Sequence, residues 1–394
     1  MTDKRRDDRE EMPDIPVGRV TAGRGWQIGI VALFLAIIVS APLSQIAIER
    51  LRREPVQELD VFGQPLTHEA LSEYERALER NSKLAAGVRR EMQWLMLGSL
   101  KSGNEKCVVG VDGSLFFRPS LAAVTGPGDG VGEDGDGRPL PAILRFRDSL
   151  AAQGVRLKLL VVPGKETIYP EWLSARYRAA DGPPRNVGVG SLLQELADQG
   201  VEVLDAAPIL WEAKGASDLY LRQDTHWSPE GLDVIADALA ERLADLVGES
   251  RPFVAQPTTI TNHGDLFDML DLPPRQGLLV SEAVTVSRVA NRATGDPIET
   301  DPSSPIALLG DSFANVYSLA SMNWGDHAGL GEQLALRLGR SVDVIAHNDG
   351  GVNTSRATLC RRAKPLAGKR VVVWEFAERE LTSGSEWKVM EVTR

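Results

Sequence analysis

Two short motifs in this 394-residue chain hold residue types that together perform acyl transfer. The first is Gly310-Asp311-Ser312-Phe313, at the end of the apolar run PIALL. A serine in a tight turn between a strand and a helix projects its hydroxyl outward, and its own N–H helps hold an oxyanion at the helix start. Ala314 departs from the G-x-S-x-G elbow of ordinary α/β-hydrolases. Read alone, the motif is equally a helix cap made by Asp311 or Ser312. The second motif is Gln223-Asp224-Thr225-His226-Trp227, just before Ser228. A serine nucleophile needs a neighbouring imidazole as base, and that imidazole needs a carboxylate to fix its tautomer and steady its charged form. Asp224 and His226 supply both types, although D-x-H alone also reads as a satisfied histidine beside an Asx turn. The pair of motifs is a far stronger signal than either one.

These residues need a frame. From residue 140 the sequence alternates helices and short apolar runs: a helix over 141–154, a strand over 155–163, a helix over 191–200, a strand over 201–206 and a long helix over 228–248. Ser228 caps that last helix, with Pro229 and Glu230 in its first turn. After an irregular stretch come a strand at 305–312, a helix at 329–339 and strands at 342–347 and 369–375. The alternation predicts an α/β domain whose parallel sheet is covered on both faces, and such sheets carry their sites at the carboxyl ends of strands. Upstream, VVGVDGSLFFRP predicts a strand, a DG turn and a second strand. The run at 125–139 is rich in Gly and Asp and predicts a surface loop. It lacks EF-hand spacing and a βαβ context, which argues against calcium and dinucleotides.

Other residues carry a chemical reading beside a plainer one. Asn348 and Gly350, in Asn348-Asp349-Gly350-Gly351, either donate to an oxyanion or form an ordinary turn. Lys165, after a strand, either contacts substrate or is solvated. Arg356 belongs to the stretch 350–374, which also holds Arg361, Arg362, Lys364, Lys369 and Arg370 and no acid. That stretch is either a landing surface for a polyanion or a solvated helix face. Trp227 and Trp374 either stack on sugar rings or fill the core. A metal site on Asp224, His226 and His263 has no third ligand at useful spacing, and the acyl chemistry requires neither metal nor cofactor.

The composition adds limits. Lys and Arg number 44 against 55 Asp and Glu, a net charge of −11, and no basic cluster is interleaved with aromatics, which excludes a nucleic-acid binder. No residue ionises between Arg24 and Glu49, and residues 25–48 are long enough to cross a hydrocarbon core of ~30 Å as a helix. Trp26 falls at the interface, and Pro42 near the far end, where a kink is tolerated. Six basic residues precede the segment and three follow it, which predicts a cytoplasmic amino terminus. A cleaved signal peptide is the rival, but its apolar region is shorter, about 7 to 15 residues. The expected organisation is a cytoplasmic leader at 1–24, a transmembrane anchor at 25–48, a helical juxtamembrane region at 49–106 and a catalytic domain at 107–394. The first 53 residues hold nine basic and seven acidic groups, which leaves −13 on the exported portion. Outside the cytoplasm Cys107 and Cys360 either pair or remain buried thiols.

The GDSF turn with a D-x-H partner resembles the SGNH hydrolase superfamily, in a permuted order. Common members place the serine near the amino terminus and the Asp/His pair near the carboxyl terminus, whereas Asp224 and His226 here precede Ser312. That order is similar to the alginate O-acetyltransferase family of AlgJ- and AlgX-type proteins. VDGSLFF (111–117), VVPGKETIYPEWL (161–173), DTHWSPEG (224–231), GDLFDMLDLP (264–273), LLGDSF (308–313) and VVVWEFAERE (371–380) match it as well. The resemblance spans residues 108 to 380 and implies an SGNH-like three-layer α/β/α domain, with Ser312 as nucleophile, His226 as base and Asp224 as its orienter. It also implies O-acetylation of an exported polysaccharide in the periplasm, with acetyl groups delivered by a multi-pass acyltransferase of the bacterial inner membrane. The anchor, and the lack of an added carbohydrate-binding module after residue 380, point to the AlgJ type. Related enzymes modify other exopolysaccharides, so alginate does not follow from the sequence. Two alternatives stand beside this reading: a carbohydrate acetylesterase with water as acceptor, and a non-catalytic scaffold that recruits partners through the helix at 66–100.

Overall fold

The computed structural model describes residues 23–54, 63, 67–126, 137–178, 182–215, 217–249, 252–348 and 350–392. Nearly all of the leader expected at 1–24 and most of the loop expected at 125–139 fall outside them. The chain divides into two compact units, 1–89 and 90–394. In the first, the helix Arg24–Arg52 is long and apolar enough to cross a membrane. Its Trp26, Leu33, Phe34 and Ile37 are exposed, as side chains facing lipid are. The helix His68–Asn81 follows it.

The second unit is built on a five-stranded parallel sheet. Strands β1 (Cys107–Val109) and β2 (Leu115–Phe117) first form the small antiparallel hairpin that the DG turn predicts. Then come β3 (Arg156–Val162), β4 (Glu202–Asp205), β5 (Phe253–Asn262), β6 (Glu282–Asn291), β7 (Ile306–Gly310), β8 (Asp343–Ala346) and β9 (Val371–Ala377). The main sheet runs β4-β3-β9-β7-β8, all parallel. Its three inner strands are largely apolar because each is covered on both faces, Lys158 in β3 and Glu375 in β9 being buried exceptions. Alternate residues enter opposite layers. Leu160, Leu308 and Val373 join Leu210, Leu232 and Leu334 of the helices Ala206–Ala213, Pro229–Glu241 and Leu330–Leu338. Leu159, Leu309 and Val372 join Ile143, Leu192 and Leu359 of Pro139–Ala151, Val187–Asp198 and Gly351–Cys360. The three-layer α/β/α expectation holds.

Two readings are corrected and one open alternative, that of the cysteines, is decided. Where the pattern predicts irregular chain, β5 and β6 form a ten-residue antiparallel ribbon. Pro257 argues against a strand, yet in a two-stranded ribbon each strand has a free edge that has no use for the missing N–H. The β-branched run Thr258, Thr259, Ile260, Thr261 is the signal that outweighs it. Second, Cys107 and Cys360 are both free thiols, buried in different core clusters or against them. Burial pushes the Cys107 thiol up to about 12, so it acts as a small apolar group.

Third, the basic stretch 350–374 is a cationic surface only in part: Arg361, Lys364 and Arg370 are exposed, whereas Arg356, Arg362 and Lys369 are engaged within the fold. Arg356 is wholly buried, its guanidinium 4.4 Å from the Trp374 ring centroid, so it is not a substrate contact. Lys369 and Arg362 both pair with the buried Asp343, at 2.9 and 2.5 Å. Trp227 and Trp374 have no exposed surface and belong to the core.

Candidate active site

The segment 221–226 joins no helix or strand, so many of its backbone groups take side chains as hydrogen-bond partners. A bridge between Tyr220 and Trp227 closes its base. Lys165 Nζ then donates to the carbonyl oxygens of Leu221, Arg222 and Asp224 at 2.8, 2.9 and 2.8 Å. The Glu282 carboxylate accepts the N–H groups of Arg222 and Gln223, both at 2.7 Å. Lys165 is therefore neither solvated nor a substrate contact: it is buried in the first turn of Lys165–Ile168 and clamps the loop that carries Asp224. Burial lowers its ammonium to about 8, against the opposing pull of Asp224 and Glu282. Lys165→Met strands the Leu221 and Asp224 carbonyls at about 1–3 kcal/mol each, while the Arg222 oxygen keeps the Leu115 N–H at 2.8 Å. The expected result is a fall in unfolding free energy of about 2 kcal/mol or more, read from denaturant titration. An unchanged midpoint would rule out the clamp.

Asp224 is the hub of this loop. Its Oδ1 accepts His226 Nδ1 at 2.6 Å and the His226 N–H at 3.0 Å. Its Oδ2 accepts Trp324 Nε1 at 2.8 Å and the Asp265 N–H at 2.9 Å. Gly264, at φ 98°, permits the last bond, since a Cβ there would come within 2.7 Å of the Asp224 Cβ. Burial alone would raise the Asp224 carboxyl, but the His226 charge and these donors hold it well below the usual carboxylate range. Burial likewise opposes charge on His226, and Asp224, with Asp265 and Asp311 behind it, raises it nonetheless. His226 Nε2 is buried with no hydrogen-bond partner.

The serine turn comes from the opposite side. Asp311 caps the short helix Ser312–Asn315, accepting Phe313 N–H at 2.8 Å through Oδ1 and Ala377 N–H at 3.0 Å through Oδ2. The cap reading of Asp311 thus holds, while Ser312, at the start of the helix, is half-buried on the cleft. Phe313 couples the turn to the loop: its ring lies 4.8 Å from the His226 ring and 5.2 Å from Trp227.

Ser312 and His226 line one cleft of about 400 Å³. Asn348 stands on its wall, with Oδ1 accepting Asn315 Nδ2 at 2.9 Å, an arrangement that leaves the Asn348 amide hydrogens as donors. Gly350 instead precedes the helix Gly351–Cys360, where a Cβ would come within 2.4 Å of Thr354. His263 is stacked on Phe267 at 3.9 Å rather than joined to Asp224.

Residue patterns missed the rest of the wall: Asn262, Asp265 and Asp268 after β5, Asn323, and Arg379 after β9. GDLFDMLDLP and VVVWEFAERE carry three of these five, Asp265, Asp268 and Arg379, and those two matches were the available signal. Asp265 places an oxygen 3.9 Å from His226 Nδ1, and burial followed by the Asp224 charge raises its carboxyl to about 6. Asp224, His226 and Asp265 offer ligand atoms within 4.8 Å of one another. Their oxygens are already engaged by N–H and O–H donors, including both groups of Thr225 on Asp265, so the cluster is built as a hydrogen-bond network.

A serine turn at the end of β7, faced by an Asp-x-His loop on a three-layer α/β/α frame, defines an SGNH-type domain. The chain belongs to the SGNH hydrolase-like, AlgX acetyltransferase domain family, whose model matches residues 107–378. It is 29% identical over 297 residues to a probable alginate O-acetylase AlgJ of Pseudomonas syringae pv. tomato, covering 72% of this chain and 71% of that protein. It is 30% identical over 263 residues to the corresponding Pseudomonas putida protein, covering 61% and 63%. The solved O-acetyltransferase domain of Pseudomonas putida AlgJ superposes with a TM-score of 0.52 at 26% identity, covering 70% of this chain and 92% of that one.

Proposed function

We propose that this protein transfers acetyl groups to hydroxyls of an exported polysaccharide, through an acetyl-Ser312 intermediate. The observation that carries this reading is the His226 imidazole: Nδ1 is held by Asp224 at 2.6 Å, while Nε2 is unpartnered and its ring lines the cleft with Ser312. In the first step Ser312 Oγ attacks the acetyl carbonyl and passes its proton to His226 Nε2, with Asp224 balancing the imidazolium. The oxyanion is met by the Ser312 N–H and by Asn348, and His226 returns the proton to the departing group. In the second step a sugar hydroxyl gives its proton to His226 and attacks acetyl-Ser312; the bond to Ser312 Oγ breaks, His226 returns the proton to that oxygen, and the acetylated sugar leaves.

The AlgJ relatives are named for alginate, which makes it the first acceptor to try. Asp224, Asp265 and Asp268 make the cleft acidic, so Arg379 is the counter-charge available to a sugar carboxylate there. The helix Arg24–Arg52 anchors the enzyme in the inner membrane, with the amino terminus cytoplasmic and the catalytic unit periplasmic. A multi-pass acyltransferase of that membrane supplies the acetyl groups.

The test supplies a chromogenic acetyl ester and deacetylated mannuronate oligosaccharides to the full-length protein in detergent. Mass spectrometry is expected to show oligosaccharide heavier by whole acetyl groups. Release of acetate alone would make the protein an esterase, and no turnover at all would leave the scaffold reading.

A further inference from the structure

Glu375 is fully buried on β9, the middle strand of the sheet, and no step of the acyl transfer uses it. Its Oε2 accepts the Asp311 N–H at 3.0 Å, and its carboxyl lies against that of Asp311. Gly310 permits this approach, because a Cβ there would lie 3.0 Å from Glu375 Oε2 and 2.6 Å from the Ala314 Cβ. Two carboxyls in contact within a dry core cannot both be ionised, so the pair holds a proton.

The partners decide which acid holds it. Each Asp311 oxygen accepts a backbone N–H, an environment that favours the anion. Glu375 Oε1 is buried and receives no donor. A buried carboxyl oxygen without a donor costs free energy as an anion and is satisfied when it carries the proton and donates it. Burial, then the Asp311 charge, push the Glu375 carboxyl far above its ordinary range, against the opposing effects of the Asp311 N–H and then of Arg379.

We propose that Glu375 is a neutral carboxylic acid that donates to Asp311 and so fixes the backbone from which Ser312 projects, as a positioning residue for acyl transfer. The proposal rests on Ser312 being the nucleophile. Its logic is geometric: Asp311 ties the turn to the end of β9 at Ala377, and Glu375 ties Asp311 to the same strand two residues earlier. Losing the second tie frees the turn to shift, and a displacement of about 1 Å at a nucleophile is worth about 10²-fold in rate.

The experiment compares Glu375→Gln and Glu375→Leu in the full-length protein. An amide keeps one donor and one acceptor without charge, so Glu375→Gln is expected to keep kcat within about threefold of the parent. Glu375→Leu removes both and is expected to lose about 10²-fold in kcat with little change in KM. Infrared difference spectra of the parent minus Glu375→Gln at neutral pH should contain the carbonyl stretch of a protonated acid. The proposal is overturned by a Glu375→Gln enzyme as slow as Glu375→Leu, by a Glu375→Leu enzyme of parental kcat, or by the absence of the acid band. If Glu375→Leu does not fold, Glu375→Gln and the band decide between them. The band reads the proton whatever Ser312 does, so failure of this idea and failure of the nucleophile assignment are separable.

Discussion

Ser312→Ala is expected to lower acetyl-ester turnover by about 10³-fold or more, with the unfolding midpoint unchanged. The substitution removes one oxygen. Asp311 still caps Phe313 N–H and still holds Ala377 N–H, so the turn keeps both of its ties. Phe313 still packs on His226 and Trp227, so the histidine keeps its seat. What is lost is the bond to the acetyl carbon, and no other hydroxyl stands ready to replace it. Thr225 Oγ1 is committed to Asp265 at 2.6 Å, and Ser321, the remaining serine on the cleft, serves as the control substitution. Turnover in Ser312→Ala comparable to the parent enzyme would remove Ser312 from the chemistry. Loss of the same size in Ser321→Ala would show that the cleft had been misread.

Asp224→Asn is expected to reduce kcat by about 10³- to 10⁴-fold with a smaller change in KM. A carboxylate accepts all four of its present bonds, from His226 Nδ1, His226 N–H, Trp324 and the Asp265 N–H, whereas an amide offers one oxygen. Either the histidine tautomer or the tie to Trp324 is lost. The pH profile carries a separate sign. Asp224 raises the His226 pKa against the opposing effect of burial, so the parent enzyme gains activity as pH rises through a value above the ordinary histidine range. With the carboxylate gone, burial acts with less opposition, the imidazole deprotonates more readily, and the acid limb of the residual activity moves to lower pH. A limb that stayed in place while kcat fell would separate Asp224 from the charge on His226.

How much of this was legible before the fold depends on the range of the interaction concerned. The apolar runs within 155–163, 305–312 and 369–375 named the inner strands because a strand covered on both faces must be largely apolar, a property each segment carries by itself. The start of the helix at Pro229 was readable for the same reason: the cap at Ser228 is a contact between residues three apart. The ribbon of β5 and β6 was hidden because one Pro spoke against it, and its partner strand lies beyond a loop of its own.

Charged side chains were misplaced most often. Lys165 and Arg356 read as surface cations, since a lone Lys or Arg is solvated unless partners are supplied. Those partners lie 56 to 59 residues away for Lys165, and for Arg356 one is the Trp374 ring of another element. Asp265 and Glu375 drew no notice for the same cause, each acquiring its role only from a neighbour 41 or 64 residues distant.

By itself the sequence determined the apolar helix near the amino terminus, the α/β alternation and the identities of Asp224, His226 and Ser312, because hydrophobic period, caps and turn chemistry act over a few residues. The tertiary structure alone decided that Asp265 stands beside the Asp224–His226 pair, which lysine holds the loop and which acid lies beneath the serine. Each of those is a burial of polar groups from separate segments, and burial is tolerated only where the fold brings a matching donor and acceptor together.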